Sequence, residues 1–235
     1  MASLHEKKAM LYNEYTQVRT GNWDAKAAHI KKYVHGMRVK RLLDIGCGDG
    51  EFTLTFRDTA EELWGVDISQ SAVEHSVQRG IRATFLDIDE SPLPYEDNFF
   101  DVVVCCEVLA HVFDSDHLFE EMHRVLKPGG IAVISTPNLA NYLNRLVLLL
   151  GYQPYLTGTG FKYGAGKLFS KSPCPHLRVF THRALKELFP LFGFRVRTSW
   201  GERYPNARPP FSFIDGILSH IPSLATQLVF IVEKK

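Results

Sequence analysis

The chain has 235 residues, of which 45% are apolar and 23% charged, and this composition excludes a disordered, collagen-like or coiled-coil protein. The formal charge of +1, from 27 basic and 26 acidic residues, by itself gives no reason to expect a nucleic-acid or membrane partner. The four cysteines form no C-x-x-C pair, which argues against a structural zinc site or a disulfide framework. The first residues lack the apolar segment of a signal peptide, and the longest apolar run, 146–150, is too short to cross a membrane. We therefore expect a single cytoplasmic domain, 1–235, with reduced thiols.

From residue 41 onward the chain alternates between apolar strands and helices of about ten residues. Ser69 is the predicted N-cap of one of these helices, and Gly80 its stop. Such alternation requires crossover connections, so we expect an α/β domain with a doubly wound, mostly parallel sheet and helices on both faces. The predicted strands are 41–45, 63–67, 83–86, 101–106, 131–135, 194–200 and 227–233, and the predicted helices are 52–62, 70–79, 116–126 and 181–189.

The alternation is interrupted at residues 137–177, which we interpret as a helical and loop insertion after strand five, acting as a substrate lid. Helical spacing predicts one apolar face, which we expect to pack against the domain, although a lid or a helix that touches a membrane is the alternative. The glycine- and aromatic-rich loop at 157–167 lacks the spacing of a phosphate-binding loop and suits a gate. The predicted apolar face consists of Leu139, Tyr142, Leu143, Leu146, Val147 and Leu150.

A glycine-rich turn joins the first strand to the following helix, in the segment Asp44-Ile-Gly-Cys-Gly-Asp-Gly50. Glycines at this position allow a sharp turn and close approach of the backbone to a ligand. A dinucleotide-binding turn places Gly or Ala at the sixth position of G-x-G-x-x-G, whereas this chain has Glu51 there, which would repel a pyrophosphate. Together with Asp44 and Asp49, this carboxylate favours a ligand that carries positive charge.

Two further acidic residues end the next two strands. Asp67 lies 21 residues after Gly46, where a carboxylate can accept hydrogen bonds from ribose hydroxyls, and Asp87 ends strand three. The neighbouring Ile68 and Ile88 could contact an adenine ring. Because ligands bind at the carboxyl edge of a parallel sheet, acids at three successive strand ends predict a binding site there.

This ordered set of segments resembles the motifs of class I S-adenosylmethionine-dependent methyltransferases, in particular the small-molecule type. The resemblance covers about residues 38–136 and implies a Rossmann-like, seven-stranded sheet and S-adenosyl-L-methionine as cofactor. It also implies that Gly46, Cys47 and Gly48 hold the methionine part near Asp44, and that Asp67 holds the ribose. The remaining implied contacts are Ile68, Asp87 and Ile88 at adenine, and Glu107 with Val108 beside the methyl donor. The segments concerned are Asp44–Gly50, Gly65-Val-Asp-Ile-Ser69, Leu86-Asp-Ile88, Asp101-Val-Val-Val104 with Glu107, and Leu126-Lys-Pro-Gly-Gly130.

Histidines are the candidate general bases for an acceptor that must lose a proton. His111 follows strand four at the functional edge, and His176 lies near the end of the insertion. For each of them, a packed or hydrogen-bonded structural histidine is the alternative. His111, His117 and His123 are six residues apart and do not share a helix face, so we predict no metal site from them.

The N-terminal residues 1–37 contain an aromatic cluster of Tyr12, Tyr15 and Trp23, together with Arg19. In similar methyltransferases such a segment closes over the cofactor, and Arg19 would pair with its carboxylate. A surface helix that packs its aromatic side chains is the alternative.

The near-zero net charge conceals a segregation along the chain. Residues 1–121 have a net charge of −10, whereas residues 122–186 contain nine basic residues and no acidic one. Lys162, Lys167, Lys171 and Arg178 lie in or beside the predicted gate loop. A solvated basic loop is the plain interpretation, and an anionic acceptor or contact with an anionic membrane surface is the functional one.

We therefore predict an enzyme that transfers the methyl group of S-adenosylmethionine to a small-molecule or lipid-like, possibly anionic acceptor. One alternative is an RNA 2′-O-methyltransferase related to the small-RNA 3′-end enzymes, since Ser135-Thr-Pro-Asn138, Glu107, His111 and His176 resemble theirs. Their second metal-binding Glu is replaced by Ala110, which argues against that site and makes a nucleic-acid partner the weaker prediction. A protein that binds S-adenosylmethionine without catalysis is the third alternative.

Overall fold

The computed structural model describes residues 23–160, 163–168, 174–203 and 211–235. In this part of the chain the elements are, in order, α1 Trp23–Val34, β1 Val39–Ile45, α2 Glu51–Leu54, β2 Ala60–Asp67, α3 Gln70–Gln78, β3 Arg82–Phe85, β4 Phe100–Cys106, α4 Ser115–Val125, β5 Leu126–Pro137, α5 Tyr142–Leu149, α6 His182–Leu191, β6 Phe194–Glu202, α7 Phe211–Leu218 and β7 Gln227–Lys234. None of these helices is long and apolar enough to cross a membrane.

The strands form one seven-stranded sheet in the order β3-β2-β1-β4-β5-β7-β6. Strands β1 to β5 pair in parallel, and β7 runs antiparallel to both β5 and β6. The predicted doubly wound, mostly parallel sheet is therefore confirmed. The order reverses at β1 and β4, and this point opens a crevice at the carboxyl ends of the strands.

Both faces of the sheet are buried, which explains why β4 is apolar at successive positions. Val103 packs on one side with Met122 of α4, and Val102 packs on the other with Ile30 of α1. Ser69 caps α3 as predicted, because its hydroxyl accepts a hydrogen bond from the backbone N–H of Ala72.

The predicted helix over 52–62 is wrong beyond its first turn. Helix α2 ends at Leu54, two turns follow, and β2 begins at Ala60. Residues 60–62, for which the local sequence predicts helix, instead belong to strand β2, because Ala60 pairs with Val39 and Glu62 with Arg41 of β1. Strand β5 also begins earlier than predicted, since Leu126 already pairs with Phe100.

The predicted apolar face of the insertion helix is only partly its buried face, since Val147 is buried and Leu139, Tyr142 and Leu143 are half-buried. Helix α5 is capped by the side chain of Asn141 and buries Asn144 and Val147, whereas Leu146 and Leu150 are exposed. Asn144 is turned inward because its amide donates to the carbonyl of residue 139 and accepts from the N–H of residue 155. These hydrogen bonds, which no apolar periodicity reports, set the rotation of the helix.

Candidate functional site

The glycine turn at the end of β1 lies at the switch point of the sheet. Gly46 adopts φ +77°, and a Cβ atom there would stand 2.2 Å from Cγ2 of Val108, so only glycine fits. Gly48 adopts φ +53° and has open space where a side chain would project. The backbone N–H groups of Gly46 and Cys47 both donate to the carbonyl of Val66, which holds the turn against β2. The turn therefore packs tightly at one glycine and leaves open space beside the other.

Asp67, at the end of β2, is bound to this turn. Its Oδ2 accepts the backbone N–H of Gly48 at 2.8 Å, and its Oδ1 accepts that of Ser69 at 2.8 Å. Burial raises the pKa of Asp67, and backbone N–H groups, including those of Ser69 and Gly48, counteract that rise. A carboxylate can accept about four hydrogen bonds, so Asp67 retains capacity for a ligand hydroxyl beyond the backbone N–H groups of Gly48, Ile68 and Ser69.

The end of β3 stands next to the end of β2. The N–H of Leu86 donates to the carbonyl of Asp67 at 2.9 Å, so Asp87 follows directly at the same edge. The Asp87 side chain is buried and its Oδ1 accepts the N–H of Asp89. Ile68 and Ile88 are half-buried beside these two acids. The structure thus brings together the residues expected at the ribose and adenine.

Asp44 lies deeper than the resemblance implies. Its side chain is buried, and its Oδ2 accepts the hydroxyl of Thr53 at 2.6 Å. Burial, and to a smaller extent the charge of Asp67, raise the pKa of Asp44 to about 7. The Asp44 side chain is therefore buried against α2 at the start of the glycine turn, where its ionised form adds negative charge.

Glu107 adopts the left-handed backbone conformation, with φ 61°, which is strained for a residue other than glycine. Its Oε1 accepts the hydroxyl of Ser135 at 2.6 Å and Nζ of Lys26 at 3.3 Å, and its Oε2 accepts the amide of Gln227 at 3.2 Å. Lys26 also lies 3.2 Å from Oε2 of Glu202. Glu107 thus belongs to an internal ion-pair network, and its neighbour Val108 packs on Gly46, while the place of both residues beside the methyl donor stays a prediction.

Lys26 is the functional-edge residue that sequence reasoning missed. It projects from α1, and its side chain is fully buried. Burial alone would lower the pKa of Lys26, but Glu107, Cys106 and Glu202 together outweigh it and hold the pKa above its usual range. The only available signal was the position of a lysine within the predicted N-terminal covering segment.

The two candidate histidines meet, although 65 residues separate them in sequence. The ring centroids of His111 and His176 are 4.8 Å apart. The segment carrying His176 is laid across the turn after β4, since the N–H of Leu177 donates to the carbonyl of Ala110 at 2.7 Å. Among the residues that the structure describes, no three His, Cys, Asp or Glu side chains could hold a metal ion.

The surroundings give the two histidines different proton affinities. Burial, with a contribution from His176, lowers the pKa of His111 to about 4. Burial also acts to lower the pKa of His176, but its hydrogen bond to Cys174 and the charge of that group raise it overall. His111 is therefore neutral near pH 7, whereas His176 is the more basic of the pair. Sequence reasoning had not identified Cys174.

Five residues of the sequence prediction lie outside the described part of the chain. They are Tyr12, Tyr15, Arg19, Lys162 and Lys171. The role of Arg19 at the cofactor carboxylate, and that of 1–37 as a covering segment, remain predictions.

The site suits S-adenosylmethionine on three observations made above. The turn at Gly46 and Gly48 offers open space, Asp67 retains acceptor capacity for hydroxyls, and the acids around the turn favour a cationic ligand. A phosphate ligand would instead meet Asp44, Asp67 and Asp87 around the turn, with like charge.

Comparison with known proteins agrees with this geometry. Residues 43–134 match the family model of a methyltransferase domain. The chain is 31% identical over 115 residues to a ubiquinone biosynthesis O-methyltransferase of Proteus mirabilis, covering 47% of each protein. It is 41% identical over 98 residues to a 27-O-demethylrifamycin SV methyltransferase of Amycolatopsis mediterranei, covering 38% of this chain and 36% of the relative. The chain thus spans about half the length, or less, of the curated relatives it matches.

A solved structure extends the likeness to the whole fold. An S-adenosylmethionine-dependent methyltransferase of Mesorhizobium loti is superimposable with a TM-score of 0.59 at 17% identity, covering 91% of this chain and 100% of that one. At 17% identity the structural likeness supports the fold alone. The family match supports a methyltransferase domain in residues 43–134, the segment that contains the glycine turn. Residues 43–134 therefore resemble a methyltransferase domain, and the seven-stranded sheet has the fold of the solved methyltransferase from Mesorhizobium loti.

Proposed function

We propose that this protein is an enzyme that transfers the methyl group of S-adenosylmethionine to a small-molecule acceptor. The observation that carries the proposal is the glycine turn bound to Asp67, with Asp87 at the adjacent strand end. The names of the curated relatives support a small-molecule acceptor, since they refer to ubiquinone biosynthesis and to a rifamycin.

In this proposal the chain's own residues bind and orient the donor. S-adenosylmethionine supplies, when bound, a methyl group on a cationic sulfur that is a ready leaving group. Asp67 would accept the ribose hydroxyls, Ile68 and Ile88 would flank the adenine, and Asp87 would stand at its polar edge. Gly46, Cys47 and Gly48 would hold the methionine part. Because the leaving group is already activated, alignment of donor and acceptor is the main task of the site.

A proton must leave the acceptor when it is a phenol, an alcohol or a carbon acid, and we assign its removal to the histidine pair. A general base works best with a pKa near the working pH. The direction of the pKa shifts favours His176 as the proton acceptor, with neutral His111 as its hydrogen-bonding neighbour. We therefore assign the role of base to His176 rather than to His111.

The acceptor is in our proposal anionic or lipid-like, which rests on the basic stretch 122–186. Arg178 lies two residues after His176, and its Nε donates to the carbonyl of Phe113 at 2.8 Å. Lys167 lies in the described part of the gate loop. A cation near the acceptor would attract a carboxylate or phosphate and would make activity depend on ionic strength.

The cofactor site is tested by titration calorimetry with S-adenosylmethionine. We expect Asp67→Asn to weaken binding at least about tenfold, since a neutral amide replaces an acceptor for two hydroxyls. Glu74→Gln, on the outer side of α3, is the matched control, because this acid is exposed and its Oε1 accepts only a surface glutamine amide. Equal affinity in wild type and Asp67→Asn would refute the assigned site.

The acceptor is tested by measuring release of the demethylated cofactor against a panel of phenols, alcohols, carboxylic acids and phosphorylated compounds. We expect turnover with at least one of them and its loss in His176→Gln, with cofactor binding intact. Binding of S-adenosylmethionine without turnover on any acceptor, including short RNA, would instead support the non-catalytic alternative. Turnover on RNA alone would favour the RNA alternative, which the engagement of both Glu107 oxygens by Lys26, Ser135 and Gln227 does not support.

A further inference from the structure

Helices α5 and α7 expose apolar side chains to an unusual degree. Leu149 is 84% exposed and Phe213 is 74% exposed, and Leu146, Leu150 and Ile217 are each more than half exposed. Single exposed apolar residues are ordinary, but a cluster on two helices marks an interaction site.

The two helices are held by the same segment of chain, residues 219–226, which follows α7. Asp215, on the inner side of α7, accepts the hydroxyl of Thr226 at 2.6 Å. At the start of α5, the N–H of Tyr142 donates to the carbonyl of Leu224 at 3.0 Å, and Arg145 donates to that of Ser223. Because both helices are anchored to residues 219–226, we infer that their outer faces lie near one another on the surface. We call these outer faces, with Leu146, Leu149, Leu150, Phe213 and Ile217, the apolar ledge.

The charges around the apolar ledge are positive. The side chain of Arg203 is exposed and its guanidinium approaches Gly216 of α7. Lys167 is joined to the end of α5 because the N–H of Gln153 donates to the carbonyl of Gly166 at 2.8 Å. The sequence has no acidic residue between 122 and 186, and Asp215, the one acid of α7, is buried.

Apolar side chains flanked by cations are complementary to a bilayer that contains anionic lipids, which receives both into its interfacial region. A second protein would need a mostly acidic rim to match the same charges. We propose that the apolar ledge docks this protein on an anionic membrane surface. The docking and the methyl acceptor proposed above share Lys167, but the docking test uses no activity measurement.

The test is sedimentation of the full chain with vesicles of phosphatidylcholine and phosphatidylglycerol at 3:1, and with phosphatidylcholine vesicles alone. We expect binding to the anionic vesicles that weakens as salt rises, and much weaker binding to the neutral ones. Leu149→Gln/Phe213→Gln should weaken binding about tenfold or more. Lys167→Gln and Arg203→Gln should each weaken it about fivefold.

Leu191→Gln is the matched control, because Leu191 is 79% exposed but stands at the end of α6, outside the apolar ledge. It should bind vesicles within a factor of about two of the wild type. The substituted side chains are exposed, apart from the half-buried Lys167, so we expect each variant to fold with an unchanged thermal midpoint.

Three results with vesicles would overturn the proposal. They are no binding to anionic vesicles, equal binding to neutral and anionic ones, and equal loss in Leu191→Gln and the ledge variant. A concentration-dependent dimer in light scattering that disappears in Leu149→Gln/Phe213→Gln would identify the ledge as a contact between two copies and would also overturn it.

Discussion

Replacing Lys26 by methionine tests the buried ion-pair network that joins α1 to the functional edge. The three ammonium protons of Lys26 match three acceptors, at 3.3 Å in Glu107, 3.2 Å in Glu202 and 3.1 Å in Ser135. Methionine keeps the length of the side chain but leaves two carboxylates without their cation. Removing one partner of a buried pair costs about 3–5 kcal/mol.

The lower end of that range applies here, because the two carboxylate side chains are only partly buried. The exposed fraction of the side chain is 16% for Glu107 and 22% for Glu202. We therefore expect Lys26→Met to lower the free energy of unfolding by about 3 kcal/mol. In a domain of this size that corresponds to a fall of about 6–12 °C in the thermal midpoint. Because Lys26 holds α1 to the sheet edge, the affinity for S-adenosylmethionine should fall as well.

Urea unfolding followed by circular dichroism measures the loss, with an unchanged m-value showing that the two-state comparison holds. Lys31→Met is the matched control on the same helix, since Lys31 pairs with the exposed Asp58 and should leave the midpoint within about 2 °C. The double variant Lys26→Met/Glu107→Gln should be more stable than Lys26→Met, because one stranded charge is gone. Equal effects of Lys26→Met and Lys31→Met, or additive losses in the double variant, would refute the reasoning.

Three further predictions concern the turn and the histidine pair. Gly46→Ala should weaken cofactor binding at least about tenfold by calorimetry, because its Cβ has no room, whereas Gly129→Ala, with similar φ and open space, should cost stability only. The pKa of Asp44 is raised to about 7, so the stability it contributes is present at low pH and is lost as pH rises through that value. The thermal midpoint of wild type should therefore fall more between pH 5 and pH 8 than that of Asp44→Asn, and equal falls would contradict the assignment. Cys174→Ser should lower the pKa of His176, seen by NMR titration of the ring and as a shift of the acid limb of the rate profile to lower pH, and an unmoved titration would contradict the coupling.

Motifs read from the sequence located most of the cofactor side of the site. The glycine turn, Asp67 and Asp87 each end a strand, and consecutive parallel strands end at one edge of a sheet, so local pattern alone places them together. The same reasoning put His111 at this edge. It did not predict that the Asp44 side chain is buried and bonded to Thr53, and the place of Asp44 near the cofactor stays a prediction.

The sequence by itself determined the alternation of strands and helices, the class of fold and the acidic turn, because these depend on periodicity and on residues close together in the chain. Tertiary structure alone decided that the helix after the turn is short, because Ala60 and Glu62 pair with β1. It likewise decided the rotation of α5, which the hydrogen bonds of Asn144 set. It also decided that Lys26 meets Glu107, 81 residues away, and that His111 meets His176. Such contacts depend on strand order and loop path, to which no local pattern is sensitive.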